Sequence, residues 1–354
     1  MAEHTPRLAI GPVVVCVRGR SRSGKTALIE RLVPLLAERG VRTAYVKRTH
    51  HELDLPEKAS GRVWRAEPDA MLIQTPDRRQ ITLPREEAPV AQLIGAFPDE
   101  IDLVLLETHT PEAYPTILSC ALEPERGEEV IGRWAFGAAD IAAAGMAPRL
   151  ATLVPADREL DHALRAAMRT HGGHACAGLV LGTRLAIAGA AALGVVVPDT
   201  KKRLLVTAET DRCAVDAIQS VTGCRPGKRT LRLLDYGKLA ATFIDQWSGT
   251  AVRVAARGDL RERVGDPPDG TDRHEHQRRA YLAMTAAELF TVSEADASVA
   301  QMDLPGPPRR RVLCTGCGEE VSDGRDVATE SGPLCRPCAA TGAGATPPSG
   351  GRPC

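Results

Sequence analysis

The stretch PVVVCVRGRSRSGKT, residues 12–26, constrains this chain more than any other. Its first half is a continuous β-branched run, the signature of a buried parallel strand. Its second half, Gly19 to Thr26, fits G-x-x-x-x-G-K-[ST] without a mismatch. A strand that ends in such a loop and opens a helix turns backbone N–H groups toward an anion. The helix N-terminus adds the positive end of its dipole. Gly19, Ser21, Ser23 and Gly24 form the cradle. Lys25 can reach the β- and γ-phosphates of a nucleotide, and the Thr26 hydroxyl can ligate Mg²⁺.

The next segment, Lys25 to Arg39, places Leu28, Ile29, Leu32, Leu35 and Leu36 on one helical face, with Gly40 at its stop. Pro34 is expected to kink it. RTAYVKR, DAMLIQT and IDLVLLET read as the second, third and fourth strands of a doubly wound, mostly parallel α/β sheet. Glu107 closes the last of these runs and is expected to position Mg²⁺ or a water, beside Lys25 as the second catalytic group. Lys47 ends the second strand, and His50 and His51 follow it. In such a sheet all three fall at the carboxyl edge, on the side of the phosphate loop. There is no N/T-K-x-D motif, so these residues leave the base open.

A length of 354 residues predicts two or three domains. The 45 basic residues balance the 45 acidic ones, which disfavours a nucleic-acid or membrane-surface partner. The start of the chain does not read as a signal peptide. The most apolar run, Leu185 to Val197, is shorter than the ~20 residues a membrane span needs. A cytoplasmic protein is expected. Its ten cysteines are then better read as metal ligands or catalytic groups than as disulfides.

The expected division is a P-loop domain over 8–152, an α+β domain over 157–300 and a proline-rich linker over 303–311. A cysteine module over 312–340 and a low-complexity, disordered tail over 341–354 complete it. The α+β domain contains HGGHACAG, residues 171–178, which reads as a metal site, a nucleophile site or a small-residue turn opening a helix. Behind it Gly178, Gly182, Ala186 and Ala190 form a stripe that allows close backbone approach. Cys176 stands just before that helix, where a thiol tends toward thiolate. Cys213, Asp216 and Cys224 follow later without a spacing that ties them to it. In the module, Cys314, Cys317, Cys335 and Cys338 form two CxxC pairs seventeen residues apart. That spacing fits a four-thiolate zinc ribbon, with iron as the rival metal.

Two resemblances follow from these residues. Residues 12 to about 120 resemble the molybdopterin-guanine dinucleotide biosynthesis adaptor (MobB-like) family. They do so through GRSRSGKTALIERLVPLLAERG, VKRTHHELDLPEKAS, WRAEPDAMLI and IDLVLLET. The resemblance implies a dimeric P-loop protein that binds GTP and Mg²⁺ through Gly24, Lys25, Thr26, His50, His51 and Glu107. The chain departs from that family at Glu57-Lys58-Ala59-Ser60, where Gly-Lys-Asp-Ser is usual. It departs again at Glu107-Thr108-His109, where Glu-Gly-Phe is usual.

Residues 157 to 300 resemble the FmdE-like family of formylmethanofuran dehydrogenase components. The carriers are HGGHACAGLVLGTRLA, ETDRCAVDAIQSVTGCRPGK, LLDYGKLAATF and AAELFTV. One extra glycine and Ala177 in place of proline set it apart from the family's His-Gly-His-x-Cys-Pro-Gly. The resemblance implies His174, Cys176, Cys213 and Asp216 as metal-site candidates, with Cys224 behind them, and a zinc-binding C-terminal extension. Together the two resemblances imply a GTP-binding accessory protein in molybdenum cofactor biosynthesis or insertion. Its partners would be molybdenum cofactor biosynthesis proteins and a molybdenum or tungsten dehydrogenase client. A P-loop kinase of a small substrate and a metal-binding structural or redox component of the dehydrogenase remain as alternatives.

Overall fold

The computed structural model describes residues 10–47, 63, 71–82 and 88–341. His50, His51 and the segment 57–60 lie outside the described residues, as does the tail from 342 on. The chain divides into two compact units, Ala9–His162 and Ala163 onward.

In the first unit β1 (Val13–Arg18) leads through the phosphate loop into α1 (Lys25–Ala37). β2 (Thr43–Lys47) follows, then β3 (Met71–Gln74), β4 (Arg79–Thr82) and α2 (Val90–Ile94). β5 (Leu103–Thr108), β6 (Thr116–Ser119), β7 (Val130–Trp134) and α3 (Ala139–Leu153) complete it. The sheet order is β2-β5-β1-β6-β7, and every pairing is parallel. Strand periodicity sends Val15 and Val17 to one face, where α1 and α3 cover them with Leu28, Leu32, Leu36, Met146 and Leu150. Val14 and Cys16 face the other side with Val104, Leu106 and Val90 of α2. Both faces are covered, so β1 and β5 carry apolar residues continuously and are buried along their length. Pro34 stands inside α1, and its own carbonyl accepts from Glu38 N–H at 3.0 Å.

One expected strand is elsewhere. DAMLIQT supplies β3, but β3 pairs antiparallel with β4 in a separate two-stranded hairpin. TPDR closes the hairpin, with Thr75 N–H on Arg78 O at 2.8 Å. Leu72 and Ile81 are exposed, so this apolar text does not mark a central strand.

The second unit begins with α4 (Arg158–Thr170), the helix that contains the division. Asp157 Oδ1 accepts Leu160 N–H at 3.0 Å and caps it. α5 (Ala177–Leu193), β8 (Leu204–Ala208), α6 (Ala214–Thr222), β9 (Leu231–Leu233), β10 (Ala240–Asp245) and β11 (Thr250–Ala256) follow. Then come α7 (Leu260–Val264), α8 (Arg273–Ala283), α9 (Ala286–Leu289) and β12 (Phe290–Glu294). The sheet order is β12-β11-β10-β8-β9, antiparallel except for β8 with β9. This is an α+β arrangement with α5 packed on the sheet. A Cβ on Gly189 would collide with the Phe243 ring of β10, so only glycine permits that approach.

Two hairpins end the described chain, β13 (Arg311–Leu313) with β14 (Glu320–Ser322) and β15 (Asp326–Thr329) with β16 (Gly332–Cys335), before α10 (Arg336–Thr341). Arg229 ties this module to the α+β core. Its guanidinium donates to Asp323 Oδ2 at 2.5 Å and to the Met302 carbonyl.

Candidate functional site

Three chemistry-bearing clusters stand among the described residues. The first is the phosphate loop at the carboxyl edge of β1. Gly24 has φ of 87°, which lets the loop swing into α1 where a side chain would be strained. The Lys25 ammonium is buried and donates to Gly19 O at 3.0 Å and Arg20 O at 2.9 Å. Burial lowers its pKa, and the Glu107 carboxylate opposes that shift. Thr26 Oγ1 donates to Glu107 Oε2 at 3.2 Å. The register Val17↔Glu107 sets Glu107 beside the end of β1. Ser23 Oγ is buried with no hydrogen-bond partner among the described residues, so the loop offers a polar atom beside inward-turned groups. That is the chemistry of a phosphate cradle, and the loop fits a nucleoside triphosphate with its cation.

Around it stand Lys47, as expected, and several residues that carry no motif signal. Tyr45 OH donates to Glu107 Oε2 at 2.8 Å, while Lys47 Nζ lies 3.9 Å from Glu107 Oε1. Two positions apart on β2, they share one face, and the pairing Lys47↔Glu107 brings both to this carboxylate. His109 Nδ1 lies 3.5 Å from Lys25 Nζ. Arg18, buried at the end of β1, holds Glu128 in a two-pronged pair at 2.7 and 2.6 Å. Trp134 Nε1 donates to Ser23 O at 3.1 Å. Tyr45 and Trp134 gave no signal as motifs, because strand pairing, not spacing, brings them here.

The second cluster gathers His171, Cys176 and Cys213, whose ligand atoms all lie within 4.8 Å of one another. Cys176 is the N-cap of α5, where its Sγ accepts Leu179 N–H at 3.3 Å, and Cys213 precedes α6. Helices α5 and α6 cross closely: a Cβ on Gly182 would lie 2.5 Å from Ala214 Cα. This close crossing puts two thiols at two helix starts side by side. His171 Nε2 lies 3.7 Å from Cys176 Sγ, and its Nδ1 lies 2.7 Å from Asp216 Oδ2. Burial alone would raise the Cys176 thiol, but Leu179 N–H, Cys213 and His171 outweigh it and hold the pKa below its ordinary value. Burial and the neighbouring Cys176 raise Cys213. Asp216 raises His171.

Among the described residues the histidine grouped with the two thiols is His171, while the expected His174 is exposed beside it. Gly172 and Gly173 both have positive φ, 76° and 87°, and Gly173 N–H closes on Met168 O at 2.8 Å. This left-handed turn at the end of α4 points His171 back at the thiols and leaves His174 tilted against it at 42°, ring centroids 4.8 Å apart. Asp216 stands behind the imidazole rather than among the ligand atoms. A carboxylate on the far nitrogen fixes the tautomer that offers Nε2 to a metal. Cys224 lies apart, buried, its thiol donating to Leu204 O at 3.3 Å and its pKa pushed up to about 11 by burial. It is a core thiol.

The third cluster is Cys314, Cys317, Cys335 and Cys338, again with all ligand atoms within 4.8 Å. Thiolates bound tetrahedrally at about 2.3 Å stand about 3.8 Å apart. Cys317 Sγ and Cys335 Sγ are 3.9 Å apart. Backbone N–H groups of Cys335 and Cys317 hold the Cys314 thiol down to about 6, whereas its neighbours push Cys338 up to about 12. Four such thiols cannot all ionise without a cation among them, and a tetrahedral metal supplies one.

The profile of the family described as "Molybdopterin guanine dinucleotide synthesis protein B" matches residues 14–129. The profile described as "FmdE, Molybdenum formylmethanofuran dehydrogenase operon" matches residues 171–297. The chain thus carries a MobB-like region followed by an FmdE-like region. It is 33% identical over 107 residues to the "Molybdopterin-guanine dinucleotide biosynthesis adapter protein" of Haemophilus influenzae, covering 29% of this chain and 60% of that one. It is 25% identical over 191 residues to the "Probable S-adenosyl-L-methionine-binding protein" of Archaeoglobus fulgidus, covering 47% of this chain and 50% of that one. The chain thus spans half to three-fifths of these curated relatives. A solved "tungsten formylmethanofuran dehydrogenase subunit e (fmde)-like protein" from Syntrophus aciditrophicus is 20% identical, with a TM-score of 0.36, over 52% of this chain and 93% of that one. The MobB-like region contains the phosphate loop and Glu107 but stops short of Trp134. The FmdE-like region contains the His171–Cys176–Cys213 cluster but stops short of the four-cysteine module.

Proposed function

We propose that this fusion is a guanine-nucleotide-binding accessory protein in molybdopterin-guanine dinucleotide synthesis or insertion. On this reading it serves maturation of a molybdenum or tungsten formate or formylmethanofuran dehydrogenase. The observation that carries the reading is the joining, in one chain, of a MobB-like phosphate loop to an FmdE-like thiol–imidazole cluster. Lys25, Gly24 and Ser23 hold the phosphates, and Thr26 with Glu107 holds Mg²⁺. Hydrolysis, where it occurs, is slow, because Lys47 and Tyr45 engage Glu107 and leave it a cation-positioning group rather than a strong base.

The ribbon cysteines hold zinc as a closed structural site, four thiolates with no open position. His171, Cys176 and Cys213 offer three ligands, the number that leaves one position open for an incoming group. Zinc bound there would polarise or ligate a further oxygen or sulfur donor. The test is deletion of the gene in its host, followed by measurement of molybdopterin-guanine dinucleotide content and of formate-type dehydrogenase activity. Both are expected to fall and to return with the wild-type gene but not with Lys25→Ala. Unchanged activity and cofactor content in the deletion strain would end the proposal.

A further inference from the structure

A nucleotide is a polar rod with its charge at one end and its base at the other. The phosphate loop fixes where the charged end goes. Thr26, Glu107, Tyr45, Lys47 and His109 all gather on the β5–β2 side of β1. Cation and terminal phosphate therefore face that side. The base must then run the other way along the sheet edge, over the loops that follow β6 and β7.

There the chain presents Phe136, two residues beyond β7, with 79% of its surface exposed. Its ring edge stands 3.8 Å from where a Cβ on Gly24 would be, so it lies against the residue that caps α1. The strand end that carries it is fixed. Trp134 is 2% exposed, and its indole N–H holds the Ser23 carbonyl of the same loop. Gly137, with φ of 81°, turns the chain away immediately afterwards. The neighbouring segment after β6 is pinned by Arg18 to Glu128 and to the Glu123 carbonyl at 3.3 Å. An aromatic ring on a rigid stem beside a phosphate cradle is a stacking surface for a planar ring.

We infer that Phe136 is the base platform of the nucleotide site, stacking on the purine of a nucleotide whose phosphates lie in the loop. The inference rests on the nucleotide reading above and adds to it a residue outside the matched MobB-like region. Stacking takes either purine, so Phe136 contributes affinity and leaves guanine preference to other groups.

The test is calorimetry on the full chain with Mg²⁺, using GTP, ATP and inorganic tripolyphosphate, which has the charge but no base. Phe136→Ala is expected to weaken both nucleotides about 5- to 150-fold, the equivalent of a stack worth about 1–3 kcal/mol. Tripolyphosphate affinity is expected to stay as in the wild type, and Phe136→Trp to keep nucleotide affinity. Unchanged GTP binding in Phe136→Ala, with a wild type that binds all three, overturns the platform alone. Equal weakening of tripolyphosphate also overturns it, since Phe136 would then be shaping the loop. A wild-type chain that binds none of the three overturns the nucleotide reading itself.

Discussion

At the residue scale the strongest single commitment is Arg18. Its guanidinium is buried, and Glu128 answers it with both oxygens. Removing one partner of a buried pair strands the other charge. With Glu125 at 3.5 Å and the Glu123 carbonyl still facing Arg18, Glu128→Ala is expected to cost about 1–3 kcal/mol in urea unfolding of the first unit; no measurable cost would mean that water reaches Arg18. Glycine placement decides a second residue-scale outcome. His171→Ala is expected to lower metal content at the thiol cluster by about tenfold or more in affinity, and His174→Ala to leave it near wild type. Metal titration of the two variants checks this, and the reverse order would restore His174. The sequence made Lys25, Thr26 and Glu107 legible because motif spacing and strand ends are local. It could not show which histidine turns inward, since that depends on two successive left-handed glycines.

At the element scale the close crossing of α5 and α6 is the feature with consequences. The four-residue stripe of small residues was visible in the sequence, and its first two members, Gly178 and Gly182, meet the start of α6. A methyl at position 182 would fall 2.5 Å from backbone, which cannot yield as a side-chain tip can. Gly182→Ala is expected to cost about 1–3 kcal/mol in denaturant unfolding. It should also weaken metal binding, because Cys176 and Cys213 ride on the two helices being pushed apart. Normal stability and metal affinity in that variant would show the helices able to separate freely. The central strands β1 and β5 were readable from continuous apolar text. β3 was not assignable from its text, because a short apolar run reads alike in a central strand and in an exposed hairpin.

At the scale of the whole molecule, the acid limit of the second unit is set by ion pairs. Arg203 holds Asp245 well below the usual carboxylate range, and Arg253 likewise lowers Glu209. A carboxylate with a depressed folded pKa stabilises the fold above its unfolded pKa and loses that contribution as pH falls through the folded value. The melting temperature of the second unit is therefore expected to drop below about pH 4. A melting temperature flat down to about pH 2.5 would refute this role.

The two candidate metal clusters differ in donor set, and that difference bears on metal selection. Four thiolates in a closed shell suit zinc strongly. Two thiols and an imidazole with an open position leave the choice to metal supply as much as to affinity, and copper outranks zinc in intrinsic binding. One polypeptide would then carry a metal fixed by its fold and another that reports the metal economy of the cell that made it.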